Sequence, residues 1–445
     1  MRRGFVEKAG KEKTDFFIIN SCTVTAKADR DTRSLIRRFH KANPRGKVIV
    51  TGCYAELASD RETLANMPGV AQLIRNSEKA NIAGMLISLL RASLNIAKAS
   101  EAISNEEIAS LAFGNLAMTE KRCLAMTSGG MKITDFKDRN RAFIKIQDGC
   151  DHRCSYCKVS IVRGPGRSRP SGEIVEEARA LVEKGFKEIV LTGVSLGAWG
   201  KSLTDSNEPP RPSTDGWEDD LAGLVKTISR LEGSFRIRLS SIEPGCVTEG
   251  LIREVKSNDK LCKHLHIPLQ SGDDKILKLM NRTYTAKKFT RLVKKVRKYI
   301  SDIAITTDVL LGFPGEDNRS FQKTAKFIKA IRPSRIHVFS YSKREGTAAA
   351  KLKSYTTREE VRERVSILTD LDKRLQADFA KCLIGRRQEV LVESQRDRST
   401  GLLTGYTDRY VRVFTDGPDS LKNCLVSVRS GPSRYSELST PVVEV

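Results

Sequence analysis

The sequence predicts an α/β chain in three parts: a small doubly wound sheet, a partial (βα)6 barrel and a small C-terminal β-barrel. Short apolar runs closed by turn residues alternate with helix-like stretches through most of the 445 residues, the pattern of parallel β-α units. After Gly385 the pattern changes to short β-like runs separated by Gly and Pro, as in small antiparallel barrels. The length, at roughly 100–200 residues per domain, allows two to four cores.

The first part is set at residues 1–100. Asp15–Asn20 (DFFIIN) and Lys47–Gly52 (KVIVTG) read as buried parallel strands. Between them Asp29–Lys41 is helix-like and basic, and Asn43-Pro44-Arg45-Gly46 stops it. Val70–Ile74, after Pro68-Gly69, is the third strand. Residues from about 80 to 138 read as a connector, helical and then polar.

The second part is set at residues 136–372. Its strands are expected at Phe143–Gln147, Glu188–Thr192, Arg236–Ser240, His264–Leu269, Ile303–Leu311 and Arg335–Ser340, with helices such as Gly172–Lys184 and Asp317–Ile331 between them. Six such units make an open parallel barrel, with function at the C-terminal strand ends. Asp205–Asp215, with three prolines, reads as a surface loop. Thr357–Leu383 is a long helix: Thr357 and Glu360 form a capping box, and Val361, Val365, Leu368, Leu371, Leu375, Phe379 and Leu383 make one apolar stripe. The third part, residues 376–445, carries strands at Glu389–Glu393, Arg409–Phe414 and Leu425–Arg429. Small β-barrels of this kind often bind oligonucleotides.

Lys plus Arg is 78 and Asp plus Glu is 54, a net charge of +24. Such an excess suits a polyanionic partner, nucleic acid first, with ordinary solubility as the alternative. Arg282–Lys298 holds eight Lys/Arg and no acid, so it reads as an amphipathic helix with a cationic outer face, either solvated or set against an RNA backbone. Asp29–Lys47 is a second basic cluster, and Arg163, Arg167 and Arg169 are placed to meet phosphate. Tyr406 and Tyr410 either stack on RNA bases or belong to a small β core. With 39% hydrophobic and 30% charged residues the chain is neither disordered nor collagen-like. No apolar run is long enough to cross a bilayer, and Met1–Lys13 has no apolar stretch of a secretory signal. A cytoplasmic protein with no membrane partner is expected.

Three of the ten cysteines form Cys150-x-x-x-Cys154-x-x-Cys157, directly after the first barrel strand. Three thiolates can hold three irons of a [4Fe–4S] cube and leave the fourth open to a ligand. A zinc ion with His152 as a fourth ligand is the alternative.

This motif on a six-unit barrel resembles the radical S-adenosylmethionine (SAM) enzymes. Ile146–Arg169 (IQDGCDHRCSYCKVSIVRGPGRSR), Leu191–Gly200 (LTGVSLGAWG), Arg238–Pro244 (RLSSIEP), His266–Asp273 (HIPLQSGD) and Asp308–Glu316 (DVLLGFPGE) narrow the resemblance to the methylthiotransferases, as do Asn20–Asp31 (NSCTVTAKADRD) and Thr51–Ala55 (TGCYA). It covers nearly the whole chain. It implies an N-terminal methylthiotransferase domain, a radical SAM barrel and a C-terminal TRAM domain. Thr404–Val413 (TGYTDRYVRV) most resembles the branch acting on threonylcarbamoyl-adenosine beside the tRNA anticodon; sister branches act on isopentenyl-adenosine in tRNA or on a ribosomal-protein aspartate.

The resemblance implies that the open iron binds SAM, that one electron from a reducing donor cleaves it, and that the resulting radical acts at C2 of the adenine. Gly193, in the turn after the second strand, matches the SAM-site glycine, or serves a tight turn. Glu243, at the end of the third strand, accepts hydrogen bonds from the SAM ribose, or is a solvated loop carboxylate. Gln270 and Ser271 hold a similar place after the fourth strand. Cys22 and Cys53 match two of three ligands of a second [4Fe–4S] cluster, or form a buried structural pair. No cysteine precedes Cys22, so the strand, helix and Gly-Cys ligand that the resemblance implies are expected to be missing from this sequence, through a misplaced start site, a truncated gene or a real deletion. The expectation is a chain able to cleave SAM and impaired in sulfur insertion, with an RNA-binding remnant as the alternative. Cys123, Cys246, Cys262, Cys382 and Cys424 carry no motif.

Overall fold

A computed structural model describes residues 16–82, 84–86, 140–200, 220–354, 356–431 and 442–444. Most of the connector, the Asp205–Asp215 loop and Cys123 lie outside the described residues. The chain divides into two compact units, Met1–Lys132 with Ile161–Arg163, and Ile133–Ser160 with Gly164–Val445. None of the described helices is long and apolar enough to cross a membrane.

In the first unit β1 (Phe16–Ser21), β2 (Lys47–Gly52) and β3 (Val70–Ile74) form a parallel sheet in that order. The described strands make one winding, and the reversal of a doubly wound sheet is not among them. Helix α1 (Ala26–Ala42) is capped by Thr25, whose hydroxyl accepts the Ala28 N–H at 3.2 Å. It buries Ile36 against Phe17, Ile19, Val48 and Val50, together with Leu64 of α2 (Ala58–Ala65). Arg30, Arg37, Arg38 and Lys41 stay exposed.

The second unit is an open parallel half-barrel. Its six main strands are β4 (Arg141–Asp148), β6 (Glu188–Gly193), β7 (Arg236–Leu239), β8 (His264–His266), β9 (Ala304–Leu311) and β10 (Arg335–Ser340), with a short antiparallel β5 (Arg167–Ser168) on the outer edge of β4. A bridge between Ser241 and His266 joins its two sheets. Helices α3 (Ser171–Glu183), α4 (Leu221–Ser229), α5 (Glu249–Ser257), α6 (Asp274–Leu279), α7 (Ala286–Tyr299) and α8 (Asn318–Ile331) follow the strands. Because side chains alternate along a strand, each strand sorts its residues. Ile144, Ile146, Ile189, Leu191, Ile237, Leu239, Ile305 and Val309 join one apolar core with the helices. Their neighbours Arg141, Glu188, Arg236, Arg238, Thr306 and Asp308 make a polar inner face. The fourth strand is shorter than its apolar run, ending at His266.

Helix α9 (Arg358–Lys381) has the predicted capping box: the Thr357 hydroxyl accepts the Glu360 N–H at 3.2 Å, and the Glu360 carboxylate accepts the Thr357 N–H at 2.7 Å. Leu368 and Leu375 are buried in the barrel core. Gly385, at φ +78°, ends the turn after it. The chain then closes a five-stranded barrel from β11 (Arg387–Arg396), β12 (Leu403–Thr407), β13 (Arg412–Thr415), β14 (Leu425–Gly431) and β15 (Val442–Glu444). Its core is Val390, Val392, Leu403, Val413 and Val428.

This barrel is fastened under the N-terminal ends of the half-barrel strands. Glu188, fully buried, receives Arg141 Nε at 2.9 Å, Arg236 Nε at 2.6 Å and Arg238 Nε at 3.0 Å. Arg236 also donates to the carbonyls of Glu389 and Tyr406 at 3.0 and 2.9 Å, and Arg238 to those of Thr407 and Asp408 at 3.1 and 3.0 Å. Burial would raise the Glu188 pKa, but Arg238, Arg236 and Arg141 hold it well below the usual carboxylate range. The same guanidinium groups correct the expectation for Tyr406 and Tyr410. The two rings stack on each other with centroids 5.1 Å apart, Arg141 lies over Tyr406 at 5.1 Å, and Arg238 over Tyr410 at 4.7 Å. Their faces are taken by protein cations at the seam, so they neither present a free platform to bases nor form the core of the small barrel.

Candidate metal centre

The cysteine loop leaves the C-terminal end of β4, the end where ligands collect in parallel barrels. Gly149 sits at φ +73°, and a Cβ there would lie 1.8 Å from the Pro165 carbonyl oxygen. Only glycine fits. Gly149→Ala is expected to destabilise the loop by roughly 1–3 kcal/mol, read as a lower urea midpoint together with faster alkylation of the loop cysteines. Gln147 ties the loop to its neighbour. Its side-chain amide donates to the Gly149 carbonyl at 3.0 Å, and its Oε1 accepts the Ser195 N–H at 2.8 Å. Gly193 is the register partner of Gln147 and ends β6 rather than lying in the turn beyond it. A Cβ on Gly193 would stand 3.0 Å from the Gln147 Cβ, so the glycine gives that side chain its room.

Cys150, Cys154 and Cys157 are all partly exposed, on one turn. The Cys150 N–H bonds the Gly164 carbonyl at 3.0 Å, and the Cys157 N–H bonds that of Cys154 at 3.1 Å. Burial pushes the Cys150 thiol up to about 11, against a hydrogen bond from the His152 backbone, and burial raises Cys157 too. Metal binding takes the thiolate form, so loading these cysteines would release their protons. Between them Tyr156 packs into an apolar cluster with Phe313, Ile276 and Met280, its ring edge-on to Phe313 at 6.4 Å. Among the described residues no three His, Cys, Asp or Glu side chains gather as they do round a single ion. Three cysteines on one loop at the barrel rim are the number that a [4Fe–4S] cube with one open iron would take.

The turn after α6 grips this loop from the other side. Ser155 donates its N–H to Met280 O at 3.0 Å and its hydroxyl to Leu279 O at 2.7 Å, and the Asn281 side chain donates to Arg153 O at 2.7 Å. Arg282 then fans its guanidinium three ways. Nη1 donates to Cys154 Sγ at 3.1 Å, Nη2 pairs with Glu243, and Nε donates to the Tyr284 hydroxyl at 3.2 Å. Its side chain is 4% exposed. Burial alone would weaken its hold on the proton; Tyr284, Tyr156, Glu243 and Cys154 more than offset this and keep it charged.

This corrects the expectation of a continuous cationic face over Arg282–Lys298. Arg282 precedes α7, which starts at Ala286, and points inward. Arg297 is half-buried, with both terminal nitrogens on the carbonyls of Ile331 and Arg332 at 2.6 Å. Lys287, Lys288, Arg291, Lys294 and Lys298 remain exposed. Arg169 is also engaged, with Glu177 at 2.8 Å and Lys145 O at 2.9 Å, because α3 brings a buried carboxylate beneath it; Arg167 is exposed.

Glu243 lies beyond β7, which ends at Leu239, and pairs with the same Arg282 that donates to Cys154. Gln270 is held at φ +65° with its N–H on Asp308 O at 2.8 Å. Ser271 is 1% exposed, its hydroxyl 3.2 Å from Thr324 Oγ1 and accepting the Asp273 N–H at 3.2 Å, so it locks the turn into α6 rather than facing the loop. Deeper on the inner wall His266 Nε2 lies 3.2 Å from Asp308 Oδ2, and Thr306 Oγ1 lies between His264 and His266 at 3.0 and 2.8 Å. Burial keeps His264 neutral.

In the first unit Ser21 and Gly52 are register partners, so Cys22 and Cys53 leave adjacent strands side by side. Cys53 is buried and Cys22 exposed. A Cβ on Gly52, at φ +98°, would lie 2.1 Å from Ser21 O, which pins the turn that carries Cys53. Elsewhere Cys262 is buried beside Arg238, with burial pushing its thiol up to about 11; Cys382 is exposed, and Cys246 and Cys424 are half-buried.

Comparison with known proteins places these features. Residues 144–328 match the radical SAM superfamily, and residues 1–75 match the uncharacterized protein family UPF0004. The threonylcarbamoyladenosine tRNA methylthiotransferase MtaB of Thermotoga maritima is 34% identical over 89% of this chain and 82% of its own length. Its namesake from Bacillus subtilis is 34% identical over 95% and 88%. A tRNA-2-methylthio-N(6)-dimethylallyladenosine synthase of Thermodesulfovibrio yellowstonii is 32% identical over 93% and 87%. The superfamily works with a [4Fe–4S] cluster and SAM. A rim of three cysteines alone would suit several chemistries, but on a half-barrel within a chain that shares 34% of its residues with a methylthiotransferase along most of its length it suits one, and the chain belongs to the radical SAM methylthiotransferase family.

Proposed function

We propose that this enzyme converts N6-threonylcarbamoyladenosine, beside the tRNA anticodon, to its 2-methylthio derivative, acting in the cytoplasm with a reducing electron donor. The observation that carries the reading is the cysteine rim of the half-barrel, three thiols on one turn with Arg282 against Cys154. When bound, the [4Fe–4S] cluster and SAM supply a one-electron cleavage of the sulfonium. Cys150, Cys154 and Cys157 would hold the cluster by three of its irons, which would leave one iron open to SAM. Gln147 keeps the turn in register with Gly193 and the neighbouring strand end. Glu243 gives one carboxylate oxygen to Arg282 and has the other for a ribose hydroxyl. Gln270, in the segment after β8 and bridged to Val309 of β9, would border the SAM site.

We read the C-terminal β-barrel as a TRAM domain and the exposed Lys287, Lys288, Arg291, Lys294 and Lys298 of α7 as part of a tRNA contact, where phosphate neutralisation supplies affinity. Cys22 and Cys53 are two of the three ligands that a second, sulfur-providing cluster takes in this family; their adjacency at the end of neighbouring strands supports the pair, and a third ligand is needed for it to hold a cube well. Thr404–Val413 and the names of the Thermotoga and Bacillus relatives favour the threonylcarbamoyl substrate.

The test is nucleoside mass spectrometry. The protein is expressed in a host without methylthiolated adenosines, and its tRNA is digested. The expected product is 2-methylthio-N6-threonylcarbamoyladenosine. A methylthio group found only on isopentenyl-adenosine, or on a ribosomal-protein aspartate, would overturn the substrate. Release of 5′-deoxyadenosine with no methylthio product would overturn the sulfur-insertion half and leave SAM cleavage standing.

A further inference from the structure

We propose that Arg282 sets the reduction potential of the cluster carried by Cys150, Cys154 and Cys157, with Glu243 as the opposing charge. The proposal rests on the cluster that the family implies and not on which adenosine is modified. Arg282 lies outside the cysteine motif, on the turn between α6 and α7, yet its Nη1 is 3.1 Å from Cys154 Sγ. Its side chain is 4% exposed, so water and salt screen its charge little.

Reducing the cluster adds one negative charge within a few ångströms of this cation. The reduced state is therefore favoured. A hydrogen bond to a ligating sulfur acts in the same direction by drawing off electron density. Glu243, paired with the other arm of the guanidinium, returns part of the charge and limits the effect. Holding the loop in place is the task of other groups: Ser155 on Leu279 and Met280, and Asn281 on Arg153, all bond without the guanidinium. What Arg282 alone contributes is a donor and a charge at sulfur. Arginine suits this because its planar fork addresses sulfur and carboxylate at once and stays charged when buried.

The experiment compares the full-length protein with Arg282→Met and Glu243→Gln. Each is reconstituted with iron and sulfide, its iron counted, and its cluster titrated by electron paramagnetic resonance at controlled potentials without SAM. At a fixed potential Arg282→Met is expected to lower the ratio of reduced to oxidised cluster about tenfold, a one-electron shift of about 59 mV. Glu243→Gln is expected to raise the ratio several-fold. Opposite signs are the signature, since a merely structural role would give both variants the same loss of iron and no shift. If both keep their iron and titrate like the parent, the proposal is overturned. If Arg282→Met sheds iron, Glu243→Gln decides, and an unchanged or lowered ratio overturns it. A parent that takes up no iron would sink the cluster itself, a separate outcome seen at the first step.

Discussion

Cys154→Ser takes 5′-deoxyadenosine release to background and leaves the rim site short of iron. Of the three thiols, Cys154 is the one that Arg282 addresses, so its loss removes a corner ligand and leaves a buried guanidinium without its sulfur partner. Two thiolates hold a cube poorly. Serine nearly preserves the shape, and the turn stays tied through Ser155, Asn281 and Gln147, so melting temperature is expected to stay near that of the parent. Iron per chain, SAM cleavage and melting are the three measurements. Cys382→Ser, at an exposed thiol on the long helix's end, is the control and changes none of them. Cleavage within tenfold of the parent in Cys154→Ser would mean that the three-thiolate assignment is wrong.

Glu188→Ala is expected to cost about 3–5 kcal/mol of stability, the usual penalty for stranding a buried charge by removing its partner. Here one carboxylate serves Arg141, Arg236 and Arg238 together, so its removal leaves three cations crowded in a dry floor. The urea midpoint reports the loss. Acid gives an independent check. The Glu188 pKa is depressed in the folded state, so its contribution is complete above the unfolded carboxylate value of about 4.3 and disappears as pH falls through the lower folded value. The parent should therefore keep this increment at pH 5 and lose it well below pH 4. In Glu188→Ala that part of the acid limb should be missing.

Much of this was legible in the residues. Lys47–Gly52, Val70–Ile74 and Arg335–Ser340 form strands with the predicted ends, because each is a short run bounded by turn residues, whether central like the first or at a sheet edge like the other two. The Thr357–Glu360 cap was legible because it is wholly local. Leu403–Thr407 carries no strand signal of its own: Thr-Gly-Tyr-Thr looks like a loop, and it is a strand through its pairing with β11 and β13 on either side. Arg282 departs from the sequence expectation for a similar reason. It opens a basic run, and local pattern assigns such a run to solvent. Its burial comes from Glu243 and Cys154, 39 and 128 residues away in sequence, and no period in the sequence signals such distant partners. Tyr406 and Tyr410 look like base platforms until the arginines of two distant strands cover them.

The floor arginines address main-chain oxygens of Glu389, Tyr406, Thr407 and Asp408. A carbonyl is the same whatever side chain its residue bears. Grafting a barrel of unrelated sequence but equal backbone path onto this seam would keep the clasp, so that surface is free to drift toward new ligands while the joint beneath it stays fixed.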